Sequence, residues 1–184
     1  MTTRLFVAAN IPEESLNEVI SIRNKIYDDL IPVKWESIEK LHVTLMFLGD
    51  VENDRIDKII NVLDEITKNL SVINSKFLDF DLLFKQKRPH ILWLGLEANE
   101  EFLKLHVQIQ NALEKLRFLK ETRKFKPHIT LLRLRGKENL NKIKKFRNYQ
   151  LPQISFKIES ISLFKSELLQ SGSKYTQLKN FKLI

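Results

Sequence analysis

Residues 41–48 read Leu41-His42-Val43-Thr44-Leu45-Met46-Phe47-Leu48, a run rich in branched and aromatic side chains that predicts a β-strand. Side chains alternate across a strand, so His42 and Thr44 share one face while Val43 and Leu45 share the other. The ring and the hydroxyl then stand roughly 6–7 Å apart along the strand. The same tetrapeptide pattern, His-aliphatic-Thr-Leu, returns as His128-Ile129-Thr130-Leu131. Two of the four histidines in this 184-residue chain therefore occur in one repeated context. The aliphatic face of each strand must pack on helices, which turns both His/Thr faces away from that packing.

Working outward, each of the two strands belongs to a repeated series of elements. Arg4–Ala9 predicts a strand, Glu13–Leu30 an amphipathic helix with Leu16, Val19, Ile20, Ile26 and Tyr27 inward, and Glu52–Leu70 a helix after the first His-bearing strand. The order recurs as a strand at His90–Leu96, a helix at Asn99–Leu116, the strand His128–Leu134 and a short basic helix at Glu138–Arg147. A strand at Lys76–Phe84 precedes His90–Leu96 across a turn holding Lys87-Arg88-Pro89. Gln153–Phe164 and Tyr175–Leu183 close the chain as strands. The duplicated order predicts an α+β fold of two pseudo-symmetric lobes within one bilobal domain spanning residues 1–184. A pseudo-twofold axis would let both His/Thr faces converge on a cleft between the lobes.

Composition narrows the class. The chain is 43% apolar and 29% charged, with four glycines and five prolines, which is a globular profile and not a disordered one. It has no cysteine, so disulfides and thiolate metal sites are excluded. No stretch approaches the ~18–20 apolar residues of a membrane span, and the interrupted apolar run at the N-terminus is too short for a signal peptide. The expectation is a soluble, cytoplasmic protein without membrane contact, and nothing in the sequence demands more than a monomer. Net charge is +8 but uneven: residues 115–147 hold 13 Lys/Arg and 2 Asp/Glu, whereas the rest holds 18 and 21. The basic segment brackets His128. Charge alone fits either a solvated surface or a patch facing a polyanion.

Two imidazoles with unperturbed pKa near 6.5 can serve as one base and one acid at working pH. Hydroxyls donate to anionic oxygens, and neighbouring Lys/Arg offset charge. A phosphodiester matches these parts: a base for water, an acid for the departing alkoxide, donors for the non-bridging oxygens. A metal does not, because each motif offers one histidine and no carboxylate or thiolate on the same face. No metal site and no cofactor are expected.

The paired motifs resemble those of the 2H phosphoesterase superfamily. The flanking sequence resembles its RNA 2',3'-cyclic phosphodiesterases, first described as 2'-5' RNA ligases. The resemblance rests on Arg4-Leu5-Phe6-Val7-Ala8, Lys34-Trp35, Leu41 to Gly49, Leu92-Trp93-Leu94-Gly95, Phe125 to Arg133, and Leu163-Phe164-Lys165-Ser166-Glu167 with Gly172 and Tyr175, in order along the whole chain. It implies two lobes, each an antiparallel sheet with helices on its outer face, and an active cleft between them. The implied reaction is hydrolysis of an RNA 2',3'-cyclic phosphate end, tRNA-derived ends among the candidates, to a 2'-phosphomonoester. The resemblance makes His42 the acid for the 3'-oxygen and His128 the base for water, although the near-identical motifs allow the roles to be exchanged. Thr44 and Thr130 would hold the phosphate. Reversal would give an ATP-independent 2'-5' ligation, and no nucleotide-binding loop supports an ATP-dependent one. Rival readings are an RNA-end-binding module without turnover, and a phosphodiesterase of 2'-5' oligonucleotides or of small cyclic phosphates.

Arg133 matches a family arginine resembling a phosphate contact, yet strand parity sets it off the His128/Thr130 face unless the strand ends or bulges near Leu132. Lys40 and His90 depart from the residues many relatives carry there, which puts substrate contacts from those loops in question. His106 falls on the apolar face of its helix, a structural position. Phe47, Trp35 and Tyr175 suit either base stacking or the core, and Trp93 is assigned to packing.

Overall fold

The structure is a computed structural model describing residues 1–28, 33–170 and 172–184. The elements are β1 (Thr2–Asn10), α1 (Glu13–Ile26), β2 (His42–Glu52), α2 (Ile56–Thr67), β3 (Ile73–Lys85), β4 (Arg88–Leu96), α3 (Glu100–Glu114), β5 (His128–Arg133), α4 (Leu140–Lys145), β6 (Ser155–Ile158), β7 (Ser160–Leu169) and β8 (Gly172–Lys182). They form two four-stranded antiparallel sheets, ordered β2-β1-β7-β8 and β5-β4-β3-β6. The α+β fold with two related sheets is the one expected. In each sheet the His-bearing strand is at an edge, and the two edge strands β2 and β5 lie side by side. That adjacency brings the two motifs together.

The aliphatic faces do what alternation requires. Val43, Leu45, Ile129 and Leu131 are buried, in one continuous apolar cluster with Leu16 and Val19 of α1, Ile59 and Leu63 of α2, and Phe102, Leu105, Ile109 and Leu113 of α3. Burying each such side chain is worth about 1.5–3 kcal/mol, so this face anchors the strands while the opposite one stays open. The helices reach across the lobes: α3 packs near β2, and Tyr27 at the end of α1 accepts a hydrogen bond from the Asn139 N–H ahead of α4, at 2.9 Å. Acidic residues fill the first turns of α1 and α3, and the Asn99 side chain caps α3 by accepting from Phe102 N–H.

Several expectations need correction. The helix expected over Glu13–Leu30 runs to Ile26, and residues 29 and 30 lie outside the described residues. Its inward stripe includes Ile22 and Arg23, while Ile20 and Ile26 are only partly buried. The helix expected over Glu52–Leu70 begins at Ile56, after a short 3₁₀ turn at Asn53–Arg55. The strand expected over Gln153–Phe164 is two strands. It breaks at Glu159, where the chain leaves the second sheet (β6 on β3) and enters the first (β7 on β1). Apolar residues fall at Ile154, Phe156 and Ile158 before the break and at Ile161 and Leu163 after it, so the alternation changes phase at Glu159–Ser160, a signal that the reading as one strand passed over. The turn between β3 and β4 is centred on Gln86 and Lys87, both with positive φ, one residue earlier than the Lys87-Arg88-Pro89 signal. Among the described residues no helix is long and apolar enough to cross a membrane.

Candidate active site

A cleft of about 390 Å³ lies where β2 and β5 adjoin, and His42, Thr44, His128, Thr130 and Arg133 all line it. The structure therefore gathers the five residues given catalytic or phosphate-binding roles from the sequence into one place. The rest of the wall includes Phe6 on β1, Phe47 on β2, Glu36 and Lys40 before β2, and Ser166, Leu168, Ser173 and Tyr175 of the β7–β8 hairpin.

Arg133 reaches the cleft through a bulge. Leu92 pairs with Leu132 and Trp93 pairs with Thr130, leaving Leu131 as an extra residue in β5. Leu131 and Leu132 are consecutively buried, the parity flips, and Arg133 rejoins the face of His128 and Thr130. Strand β2 carries the same irregularity: Val7 pairs with Met46 and Ala8 with Thr44, leaving Leu45 extra. The residue equivalent to Arg133 is then Phe47, five positions after its histidine and 75% exposed. One motif thus delivers a cation to the cleft and its twin delivers an aromatic ring.

The two histidines sit in unlike surroundings. His42 stacks on Phe6 at 5.0 Å and on Phe164 at 5.6 Å, with the edge of Tyr175 at 5.4 Å. Its Nδ1 is buried without a hydrogen-bond partner among the described residues. Burial in this aromatic box, with a smaller effect from the positive charge of Arg133, pulls its pKa down to about 4. His128 is exposed, and its Nδ1 lies 2.8 Å from the carbonyl of Lys126. A carbonyl can only accept, so Nδ1 carries the proton and the Nε2 of the neutral ring presents a lone pair. Trp93 sets the ring plane from the side, edge-on at 5.5 Å. Trp93 is partly exposed on this face, so the packing role assigned to it is only part of its position.

Behind His128, the residues of the 121–127 loop are held by a buried chain of contacts. The backbone N–H of Glu121 donates to Gln110 Oε1 at 2.8 Å, which orients the amide so that Gln110 Nε2 donates to His106 Nε2 at 2.8 Å. That nitrogen must be unprotonated, consistent with the burial-lowered pKa of His106. The His106 ring also stacks on Phe125 at 3.9 Å. His106 is structural, as expected, and what it structures is the segment carrying Lys126 and His128.

Charge at the rim is partly committed. Arg4 forms a two-point pair with Asp50 at 3.0 and 3.1 Å. Arg133 Nε lies 3.4 Å from Glu36 Oε1, and Lys40 Nζ lies 4.0 Å from the other Glu36 oxygen. Glu36 is placed there because residues 35–36 run beside β5: Trp35 bridges to Leu132 and the Glu36 N–H donates to Leu131 O at 2.9 Å. Trp35 itself packs inward against Tyr27 and Phe146. His90 is exposed and away from the cleft wall. Phe6, Phe164 and Glu36 were not singled out as site residues. The parity of β1, which puts Phe6, Ala8 and Asn10 on the face paired with Thr44 and His42, was the signal available for Phe6.

The family model for the 2'-5' RNA ligase superfamily matches residues 11–168, most of the chain. The chain belongs to the 2'-5' RNA ligase superfamily. Among curated members, it is 28% identical over 187 residues to the RNA 2',3'-cyclic phosphodiesterase of Methanothermobacter thermautotrophicus, covering all of both chains. It is 28% identical to the Bacillus subtilis RNA 2',3'-cyclic phosphodiesterase, over 97% of this chain and 95% of that one. Solved structures share the superfamily fold. One from Thermus thermophilus superposes with a TM-score of 0.79 at 24% identity, covering 98% of this chain and 97% of that one. E. coli LigT complexed with 3'-AMP superposes at 0.76 with 22% identity, over 100% and 99%.

Proposed function

We propose that this protein hydrolyses RNA 2',3'-cyclic phosphate ends to 2'-phosphomonoesters by acid–base catalysis between His42 and His128. The observation that carries the reading is the convergence of both histidines, both threonines and Arg133 on one cleft, in a chain matched end to end by relatives bearing that activity in their names.

The unlike surroundings divide the work. His128 Nε2 takes a proton from water as the water oxygen attacks phosphorus; the Lys126 carbonyl, bonded to Nδ1–H, stabilises the imidazolium that results. His42 delivers a proton from Nε2 to the 3'-oxygen as the P–O3' bond breaks, and the phosphate stays on the 2'-oxygen. A neutral His42 cannot serve as that acid. In the free protein its low pKa keeps it neutral, but a bound phosphate anion offsets Arg133 and draws a proton onto the ring. Thr44, Thr130 and Arg133 supply donors to the non-bridging oxygens, where charge accumulates in the transition state. Phe47 offers an open aromatic face to the terminal base. Run backwards, the same groups join a cyclic phosphate to a 5'-hydroxyl without ATP.

The test is turnover of a 2',3'-cyclic-phosphate oligonucleotide by His42→Ala and His128→Ala, with the phosphate position of the product identified. Each variant is expected to lose at least ~100-fold in kcat while RNA affinity changes far less, and wild-type activity is expected to survive EDTA. Wild-type turnover by either variant refutes the reading, as does a 3'-phosphate product.

A further inference from the structure

The open face of the second sheet continues past His128 into a groove of about 560 Å³, floored by Trp93 and Gly95 and flanked by Lys124, Lys126 and Arg147. We propose that this groove carries the RNA strand leading to the cyclic-phosphate end, so that the protein prefers polymer ends to mononucleotides. The inference rests on the proposed phosphodiesterase reading and names the path its substrate takes.

Three observations converge on it. The first is continuity: Trp93 touches the His128 ring, pairs across the sheet with Thr130, and also floors the groove. A strand whose last phosphate sits between the histidines passes over this ring next. The second is a surface built for stacking. A Cβ at residue 95 would come within 3.2 Å of the Trp93 ring, so the glycine lets the indole lie across the backbone, partly exposed. Base–aromatic stacking is sequence-tolerant and worth about 1–3 kcal/mol per base, as a general RNA end requires.

The third is charge. Lys124 and Lys126 are exposed and form no ion pair among the described residues, and both precede His128 in the basic 115–147 segment. Two carboxylates also line the groove: Asp81, paired with Arg147 at 3.0 Å, and Asp79. The cations remain in excess by one. They flank the floor, where a backbone runs, and the carboxylates are set to meet sugar hydroxyls.

The equivalent place in the first sheet is filled among the described residues. Asn10 occupies the place equivalent to Gly95, since it pairs with His42 as Gly95 pairs with His128. Its amide closes that region by donating to Ser160 and Ser162, both at 2.8 Å. The pseudo-symmetry of the catalytic strands is broken here in favour of the second lobe.

The test compares kcat/KM for a cyclic-phosphate oligonucleotide and a 2',3'-cyclic mononucleotide, in wild type and in the Lys124→Gln/Arg147→Gln double variant. The oligonucleotide-to-mononucleotide ratio is expected to fall about tenfold at low salt. The slope of log kcat/KM against log salt for the oligonucleotide should become shallower by about 1.4, the value for two single-strand phosphate contacts. A ratio and slope equal to wild type overturn the groove as the RNA path. If wild type hydrolyses neither substrate, the phosphodiesterase reading falls, and the groove is then judged by binding. Fluorescence anisotropy of single-stranded RNA ending in a 2'-phosphate should show about tenfold weaker binding to the double variant, and equal affinities overturn the inference.

Discussion

The most discriminating quantity in this site is the protonation of His42 and its response to an anion. In the free protein the ring is boxed by Phe6, Phe164 and Tyr175 and faces Arg133, which together bring its pKa to about 4. Occupy the cleft with a 2'-phosphomonoester, the expected product. A charge about 5 Å from the ring at an effective dielectric constant near 20 contributes about 3 kcal/mol, or about two pH units. The His42 pKa should therefore climb to about 6, where an imidazolium is both populated and able to give up its proton near neutral pH. Imidazole NMR titration measures this directly, with His42→Gln identifying the resonance. His42 titrating near 6.5 without ligand would refute the burial argument. His42 staying near 4 with ligand bound would refute its role as the acid.

Three further outcomes follow from the same geometry. Arg133→Met should raise KM for the cyclic phosphate about 10–100-fold, the value of a hydrogen bond to a charged group, and should also raise the pKa of unliganded His42; steady-state kinetics and the same NMR titration check both. His106→Leu, which removes the acceptor for Gln110, should lower kcat about tenfold with little change in KM by letting His128 drift, whereas His106→Gln should recover most of the rate. Acid should destabilise the fold. Both His42 and His106 have folded-state pKa values below the unfolded value near 6.5, so the unfolded chain binds more protons, and stability present above that value is lost as pH falls from about 6.5 toward 4. Urea unfolding of His42→Leu should show up to about 3 kcal/mol less of this pH dependence than wild type.

Much of the site was legible in the chain because its message is local. Alternation along a strand is a two-residue property, so His42 with Thr44, and His128 with Thr130, could be set on one face without knowing what the strand packs against. The repetition of the tetrapeptide within a repeated element order then predicted two related lobes. The basic run around His128 was visible as composition. Arg133 was the harder case. Strict alternation set it off the site face unless the strand ended or bulged near Leu132; an extra residue at Leu131 does shift the pairing, and a bulge depends on the partner strand's register.

What only the tertiary structure decided concerns relations between distant residues. The two imidazoles have nearly identical sequence contexts, yet one is stacked among aromatic rings brought by β1, β7 and β8, and the other is tethered to a carbonyl in its own loop. Desolvation depends on everything that surrounds a group, and those three strands lie far from His42 along the chain. The same holds at Glu159: the alternation changes phase there, but that β6 joins β3 and β7 joins β1 depends on distant strands. Local sequence thus determined which groups were available and which way they faced, and packing determined what each could do with its proton.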